Sequence, residues 1–253
     1  MDSPRGRRAV TAQNVDVMHF PGNAGWWSAG AVPHVLTVQD LIWNRHDAGR
    51  KRRQVVGHAY LRYAVPRAVR SATRVAVPSD TTAQRVGSEL GACAVVIPYG
   101  VDETWHRVHP RTSDTPYLVA FAGADRRKAT DISVAVWRRV AGRGVGLTLL
   151  AGAGVPADLE AELTRLRSQG SIRLFPYLPE AEIIDIVSGA AALLYPSRAE
   201  GFGLPVAEAM AAGVPVITGL APVTLEVGGD AVLPLDPQDP VSSGAGHVER
   251  LLD

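Results

Sequence analysis

The chain of 253 residues contains a single cysteine, Cys93, and only two lysines, Lys51 and Lys128. One cysteine excludes an internal disulfide and is typical of a reducing compartment, so a cytoplasmic location is expected. No apolar run approaches the roughly 18 residues that predict a membrane-spanning helix. The basic N-terminus is not followed by an apolar core, which excludes a typical secretory signal.

Charge is distributed unevenly along the chain. Residues 1–112 contain 15 arginines and lysines against 8 acidic residues, whereas residues 113–253 contain 11 against 17. Opposite signs in the two halves predict two lobes with different partners. The basic run at residues 50–53 indicates either a solvated helix start or attraction to an anionic lipid surface or acceptor. Nucleic acid is not an expected partner, because the nearby aromatics form no stacking pattern.

Short apolar segments alternate with amphipathic ones, which predicts an α/β fold with parallel sheets. Strands are predicted at residues 15–20, 34–39, 74–78, 94–97, 117–122, 146–151, 172–175, 191–195, 214–218 and 231–234. Helices are predicted at residues 50–71, 80–90, 130–141, 156–168, 179–189, 204–212 and 247–253.

The segment 97–116 is rich in turn formers and lacks periodicity, so we interpret it as an interdomain linker. It divides a first Rossmann-like lobe with the linker, residues 1–112, from a second Rossmann-like lobe, residues 113–253. The abrupt first strand and the short last helix predict that both ends are truncated and that the first lobe is incomplete.

Residues 194–218, LYPSRAEGFGLPVAEAMAAGVPVIT, carry the strongest chemical signal. A buried strand gives way to a polar loop, and glycines then open a helix, where unpaired N–H groups favour a phosphate. Glu200 and Glu208 frame this loop, and a carboxylate can accept two hydrogen bonds from the vicinal hydroxyls of a sugar. The alternative interpretations are a surface acid for Glu200 and a helix-dipole partner for Glu208.

A second motif, FAGADRRKATD at residues 121–131, also follows a strand and opens a helix. This arrangement favours phosphate binding, and Lys128 stands out in a chain that otherwise uses arginine. A solvated helix start is the alternative interpretation.

Together these motifs resemble the retaining glycosyltransferases of family 4, which have the GT-B fold. Their E-x7-E signature matches Glu200 and Glu208. The resemblance implies that Glu200 contacts donor-sugar hydroxyls, that Glu208 binds the nucleotide ribose, and that Arg127 and Lys128 hold the diphosphate. Glu200, Lys128 and Arg127 are thus the expected catalytic residues. The further donor-binding residues that it implies are Gly123, Ser197, Gly201, Phe202, Gly203 and Leu204.

In the first lobe, VLTVQDL at residues 35–41 resembles a V-x-T-x-H-D-L element of the family. Gln39 replaces the histidine that often faces the donor sugar, and glutamine cannot carry a proton at neutral pH. Asp40 follows it as a further candidate contact. His19 is a candidate substitute for the missing histidine, with a purely structural histidine as the alternative.

The resemblance implies transfer of a hexose, with mannose favoured, from a nucleoside-diphosphate sugar to an acceptor hydroxyl with retention of configuration. The sequence has no Asp-x-Asp motif and no convincing set of histidine ligands, so no metal and no other cofactor is expected. The expected partners are the nucleotide-sugar donor and a glycan or lipid-linked acceptor, the latter with peripheral contact at the cytoplasmic membrane face.

Two other functions stay open on the sequence. The first is an inactive module that only binds a nucleotide sugar, because Gln39 replaces the usual histidine and the first lobe is expected to be incomplete. The second is a dinucleotide-dependent oxidoreductase, from Gly152, Gly154 and Ala157, although the required acid after the next strand is absent.

Overall fold

The chain divides into two compact α/β units between Tyr99 and Gly100. The structure, a computed structural model, describes residues 14–25, 32–44, 52–111, 113, 115–152 and 154–253, and for residues 52–56 only the backbone. The sequence predicts the boundary at residue 112. Residues 100–111 instead pack within the second unit: Trp105 is buried in its core, and the Arg111 N–H donates to the Ser188 carbonyl at 2.9 Å. A segment without periodicity can still be anchored by one aromatic side chain.

In the described part of the first unit, four parallel strands form a sheet in the order β1-β2-β3-β4. They are Met18–Phe20 (β1), His34–Thr37 (β2), Arg74–Val77 (β3) and Val95–Val96 (β4). Helices Arg52–Ser71 (α1) and Asp80–Leu90 (α2) form the crossovers on either side of β3. The side chains of the basic run at residues 50–53 lie outside the described part of the chain.

The second unit is built on a sheet of six described parallel strands in the order β10-β9-β8-β5-β6-β7. The strands are Tyr117–Phe121 (β5), Gly146–Leu150 (β6), Ile172–Phe175 (β7), Ala192–Tyr195 (β8), Val216–Thr218 (β9) and Leu233–Pro234 (β10). All ten predicted strands are therefore present, and the predicted α/β class with parallel-sheet lobes is confirmed.

The described helices of the second unit are Glu103–His106 (α3), Thr130–Val140 (α4), Glu160–Ser168 (α5), Glu180–Ser188 (α6), Leu204–Ala211 (α7), Pro222–Gly228 (α8) and Pro240–Leu252 (α9). Both faces of the sheet are covered, as is usual for parallel strands. Along β5, Leu118 and Ala120 join the apolar cluster under α4, α5 and α9. Val119 and Phe121 belong to the opposite cluster, under α3, α6 and α7.

Three helix assignments differ from the sequence prediction. The last helix begins at Pro240 instead of residue 247, because the Asp239 side chain caps it by accepting from the Ser242 N–H at 3.0 Å. The helices α3 and α8 were not predicted, since four and seven residues are too short to show a helical period. Within the described ranges, no helix combines the length and apolarity needed to cross a bilayer.

Candidate active site

The order of the strands places the candidate site at the carboxyl ends of two interior strands of the second sheet, β5 and β8. The chain runs from β5 outward to β6 and β7, and then returns to place β8 on the other side of β5. Ligands of open α/β sheets bind at the carboxyl ends of the strands where such a reversal occurs. The two predicted motifs are the loops that leave β5 and β8 at this point, so the topology brings together segments that lie about 70 residues apart in sequence.

The loop after β5 holds its two cationic side chains in a tight turn. Asp125 caps a single 3-10 turn, Arg126–Lys128, by accepting from the Arg127 N–H at 3.0 Å. Ala129 follows with a φ of 49°, a left-handed conformation unfavourable for alanine, and is fully buried. Gly123 leaves room for this turn, since a Cβ there would lie 3.3 Å from Lys128 Cγ.

The loop after β8 delivers the predicted glycines and the two glutamates. Gly203 has a φ of 96°, which favours glycine, and it caps the start of α7 with Pro205 in the first turn. Gly201 and Phe202 are half-buried in the loop, and Leu204 is exposed at the start of the helix. The loop thus leads from Glu200 into the N-terminus of α7, and the binding of a phosphate there stays a prediction.

Four donors converge on one carboxylate oxygen, Glu200 Oε1, which we name the Glu200 cluster. Lys128 Nζ and Arg127 Nη1 each lie 2.8 Å from it. The hydroxyls of Tyr195 and Ser197 each lie 2.7 Å from it. The Glu200 side chain is only 11% exposed, so this is a half-enclosed site and not a surface ion pair.

Burial and the neighbouring charges shift the pKa of Glu200 in opposite directions. Burial by itself would raise the pKa of Glu200, but the charges of Lys128 and Arg127, with hydrogen bonds from Lys128 and Ser197, lower the pKa below its ordinary value. Burial lowers the pKa of Lys128, an effect that the charge of Glu200 partly offsets. The cluster thus holds an ionised carboxylate against two cations.

Glu208 stands on the second turn of α7 in a different environment. Burial, and then the charge of Glu180, raises its pKa above the ordinary value. The charge of Glu208 also contributes to raising the pKa of the Tyr195 phenol, after burial and the charge of Glu200. Glu208 is thus electrostatically coupled to the Glu200 cluster, but among the described residues no cation lowers its pKa.

In the first unit, the three candidate contacts are engaged in local hydrogen bonds. His19 Nε2 lies 2.8 Å from Thr37 Oγ1, across the β1–β2 pair. The Gln39 carboxamide donates to the Pro21 carbonyl at 2.7 Å. Asp40 Oδ1 accepts from the Ile42 N–H at 2.9 Å. All three lie at or near the carboxyl ends of β1 and β2, and their contact with a donor stays a prediction.

Tyr195 also belongs to the site, although neither motif in the sequence predicts it. Its hydroxyl contacts both Glu200 and Lys128, at 2.7 and 2.8 Å. The available signal was its place as the last residue of a buried strand directly before the motif loop, where a phenol would need a hydrogen-bond partner. In the described part of the chain, no group of three His, Cys, Asp or Glu side chains could hold a metal ion.

Comparison with known families defines the class of protein. Residues 115–253 match the family described as Glycosyl transferases group 1, and residues 2–105 match Glycosyltransferase Family 4. The chain belongs to the group 1 glycosyltransferases, whose match includes the Glu200 cluster and Glu208. The dinucleotide-dependent oxidoreductase is left without support, because Gly152, Gly154 and Ala157 lie inside the same family match.

Similarity to individual proteins is partial in sequence and broad in fold. The chain is 40% identical over 85 residues to O-antigen chain mannosyltransferase B of Escherichia coli, a match over 34% of this chain and 22% of that protein. Less than a quarter of that relative's length is therefore matched.

Two solved structures resemble nearly the whole chain. Sucrose-phosphate synthase of Thermosynechococcus elongatus has a TM-score of 0.74 at 19% identity, over 98% of this chain and 68% of that one. Anabaena HepE, solved in complex with UDP-glucose, has a TM-score of 0.67 at 17% identity, over 100% and 75%. At these identities the likeness establishes the fold alone, which is the predicted GT-B-like class.

Proposed function

We propose that the chain is a hexosyltransferase that uses a nucleoside-diphosphate sugar as donor and retains the anomeric configuration. The observation that carries the proposal is the Glu200 cluster, where Lys128 and Arg127 meet a carboxylate beside the glycine-opened start of α7. Two cations and a helix N-terminus suit a diphosphate, and a carboxylate with a free oxygen suits a sugar hydroxyl.

Each residue has a distinct part in the proposed reaction. Lys128 and Arg127 stabilise the negative charge that develops on the departing diphosphate, an electrostatic contribution that is often the largest in catalysis. Glu200 orients the hexose. Glu208 accepts hydrogen bonds from the ribose hydroxyls, as the family motif implies. No protein nucleophile and no metal enter the proposal.

Mannose is the proposed hexose, and it is supported by the mannosyltransferase named above. Isothermal calorimetry with GDP-mannose, UDP-glucose and their free nucleotides would identify the donor. A transfer assay with glycan and lipid-linked acceptors would follow, with the anomeric configuration of the product read by NMR. We expect Lys128→Ala to weaken nucleotide binding and transfer at least 10-fold, and the exposed charge-loss control Arg167→Ala to leave both unchanged. Full activity in Lys128→Ala would overturn the proposal.

A module that binds the donor without transferring sugar is the second candidate, and the contacts of Gln39 favour it. Its carboxamide donates to the Pro21 carbonyl, and a carboxamide cannot act as a general acid or base at neutral pH. Donor binding with no product from any acceptor would select this candidate. A gain of product in Gln39→His would show instead that the missing histidine limits transfer.

We further propose a lipid-linked acceptor at the cytoplasmic face of the membrane. Helix α1 supports this proposal, because Tyr60 and Tyr63 are half-exposed on it and the Arg67 guanidinium lies 3.5 Å from the centroid of the Tyr63 ring. Aromatic and basic side chains together favour an anionic lipid surface. Flotation with anionic vesicles, and not with neutral ones, is the expected result, and Tyr60→Ser with Tyr63→Ser should weaken it.

A further inference from the structure

Tyr195 is held rigidly at the end of β8. It is 1% exposed, and its ring meets Phe121 edge to face, with centroids 6.2 Å apart and planes at 86°. Its carbonyl oxygen accepts a 2.7 Å hydrogen bond from Thr218 Oγ1 on the neighbouring strand. These contacts place the phenol oxygen of Tyr195 inside the Glu200 cluster.

The phenol bridges the carboxylate and the lysine. A phenol has one proton to donate and lone pairs to accept with. Tyr195 donates to Glu200 Oε1 at 2.7 Å and accepts from Lys128 Nζ at 2.8 Å. Burial, and then the charge of Glu200, raises the pKa of Tyr195 well above its ordinary value, so the phenol keeps its proton at neutral pH.

The pattern of bonds divides the carboxylate into two functionally different oxygens. Oε1 is contacted by the donor groups of Lys128, Arg127, Tyr195 and Ser197. In contrast, Oε2 accepts no hydrogen bond from any residue that the structure describes. Since all four donors hold the same oxygen, the carboxylate has one orientation, and Oε2 is the atom that it can present to a sugar hydroxyl.

Two of the four donors are the cations that a diphosphate would compete for. When Lys128 and Arg127 turn toward phosphate oxygens, Glu200 keeps only its neutral donors, the hydroxyls of Tyr195 and Ser197. Tyr195 is the neutral donor whose position is set by the sheet itself, because it belongs to β8, while Ser197 lies in the loop.

We propose that Tyr195 is a positioning residue that keeps Glu200 oriented toward the hexose while Lys128 and Arg127 engage the diphosphate. The inference rests on the proposed function, and it adds a residue to which neither the family motif nor the sequence analysis gives a role. Tyr195 acts through Glu200 and Lys128 and does not itself contact the reacting atoms.

The test is Tyr195→Phe, which removes the hydroxyl and keeps the ring. Tyr117→Phe is the matched control, because Tyr117 stands on β5 of the same sheet and its hydroxyl donates at 2.7 Å to the Ile186 carbonyl, away from the cluster. Loss of a hydrogen bond to a charged group predicts a fall in kcat of about 10- to 100-fold in Tyr195→Phe. We expect the Kd for the free nucleoside diphosphate to change less than about 3-fold, because both cations remain.

A second measurement is independent of turnover. The pKa of Glu200, followed by NMR of protein labelled with 13C at the glutamate side-chain carboxyls, should rise in Tyr195→Phe and stay at the wild-type value in Tyr117→Phe. Ser197→Ala should raise it as well, since it removes the other neutral donor. Circular dichroism and urea unfolding of both tyrosine variants would show that the fold is kept.

The outcomes separate this inference from the proposed function. If no donor supports transfer and the pKa of Glu200 still rises in Tyr195→Phe but not in Tyr117→Phe, the proposed function fails and the positioning of Glu200 stands. If transfer occurs and Tyr195→Phe matches Tyr117→Phe in kcat and in the pKa of Glu200, the inference is overturned. A Kd that worsens as much as kcat would assign Tyr195 to phosphate binding through Lys128 and would also overturn it.

Discussion

The backbone N–H of Arg198 donates a 2.7 Å hydrogen bond to the carbonyl oxygen of Arg127. In the opposite direction, the Arg127 guanidinium donates to the Ala199 carbonyl at 3.2 Å. The loop after β5 and the loop after β8 are therefore tied to each other by backbone groups as well as by the Glu200 cluster. In the proposed reaction, this link would couple the diphosphate and hexose subsites.

Removing the anion and removing the cation should have opposite effects on binding of the free nucleotide. Glu200→Ala leaves Lys128 and Arg127 without their shared carboxylate, so we expect lower stability by about 1–3 kcal/mol and tighter binding of the nucleoside diphosphate. Lys128→Met removes a cation and should weaken the same binding about 10-fold or more. Calorimetry with the nucleoside diphosphate and with the full donor sugar measures both.

Binding of the full donor sugar is the control for the comparison of Glu200→Ala with Lys128→Met. Glu200→Ala should lose the advantage of the full donor over the free nucleotide, because the hexose contact is gone. Weaker binding of the free nucleotide in Glu200→Ala, to the same degree as in Lys128→Met, would contradict the division of subsites.

Acid should remove the stabilising contribution of Glu200. Its pKa is lowered in the folded protein by Lys128 and Arg127 against the opposing effect of burial, so its contribution is complete above the ordinary value and is lost as the pH falls through the folded value. The unfolding free energies of wild type and Glu200→Gln should therefore differ most above about pH 5 and converge in stronger acid. Urea titrations between neutral pH and pH 3 would detect this, and a gap independent of pH would count against it.

Glu208 should show the opposite pH dependence. Burial and the charge of Glu180 raise its pKa, so the folded state loses stability as the pH rises from the ordinary value through the raised one. Glu208→Gln should stabilise the ligand-free protein at neutral pH by less than about 1 kcal/mol and weaken nucleotide binding. Glu180→Gln should give part of the stabilisation without the loss of binding, and a destabilised Glu208→Gln would contradict the assignment.

Gly123 should be required for the position of Lys128. A methyl group there would lie 3.3 Å from Lys128 Cγ, closer than ordinary contact. We expect Gly123→Ala to displace the lysine and to weaken nucleoside-diphosphate binding about 3- to 10-fold. Gly142→Ala is the control, since nothing lies within 4 Å of a Cβ at that position. Equal affinities in the two variants would show that the turn absorbs the methyl group.

Two glycines of α9 should respond oppositely to alanine. A Cβ at Gly244 would lie 2.9 Å from Val136 Cγ2 and 3.1 Å from Leu235 Cδ2, whereas one at Gly246 meets nothing within 4 Å. Gly246→Ala should stabilise the protein by about 0.5–1 kcal/mol through helix propensity. Gly244→Ala should destabilise it by about 1 kcal/mol, because overpacking against α4 outweighs that gain. Thermal unfolding of the two variants measures the difference, and an equal gain in both would place Gly244 outside the packed contact.

Local patterns were sufficient for the strands, for the longer helices except the first half of α9, and for the two motif loops. Apolar runs of four or five residues and glycine-opened turns are properties of a short stretch of chain, so they can be recognised without knowing the fold. The helices α3 and α8 and the boundary at Tyr99 could not be predicted in this way. Trp105, which anchors residues 100–111 to the second unit, acts only through packing partners distant in sequence.

The sequence by itself determined that this chain would form parallel α/β lobes and that Lys128 and Glu200 would lie in loops that follow strands, with Glu208 in the helix after the second loop, because periodicity and glycine placement are local. Only the tertiary structure decided that Lys128 and Glu200 share one oxygen-centred cluster and that Tyr195 completes it. Strand order places β5 beside β8, and no local pattern in either segment encodes that neighbour relationship.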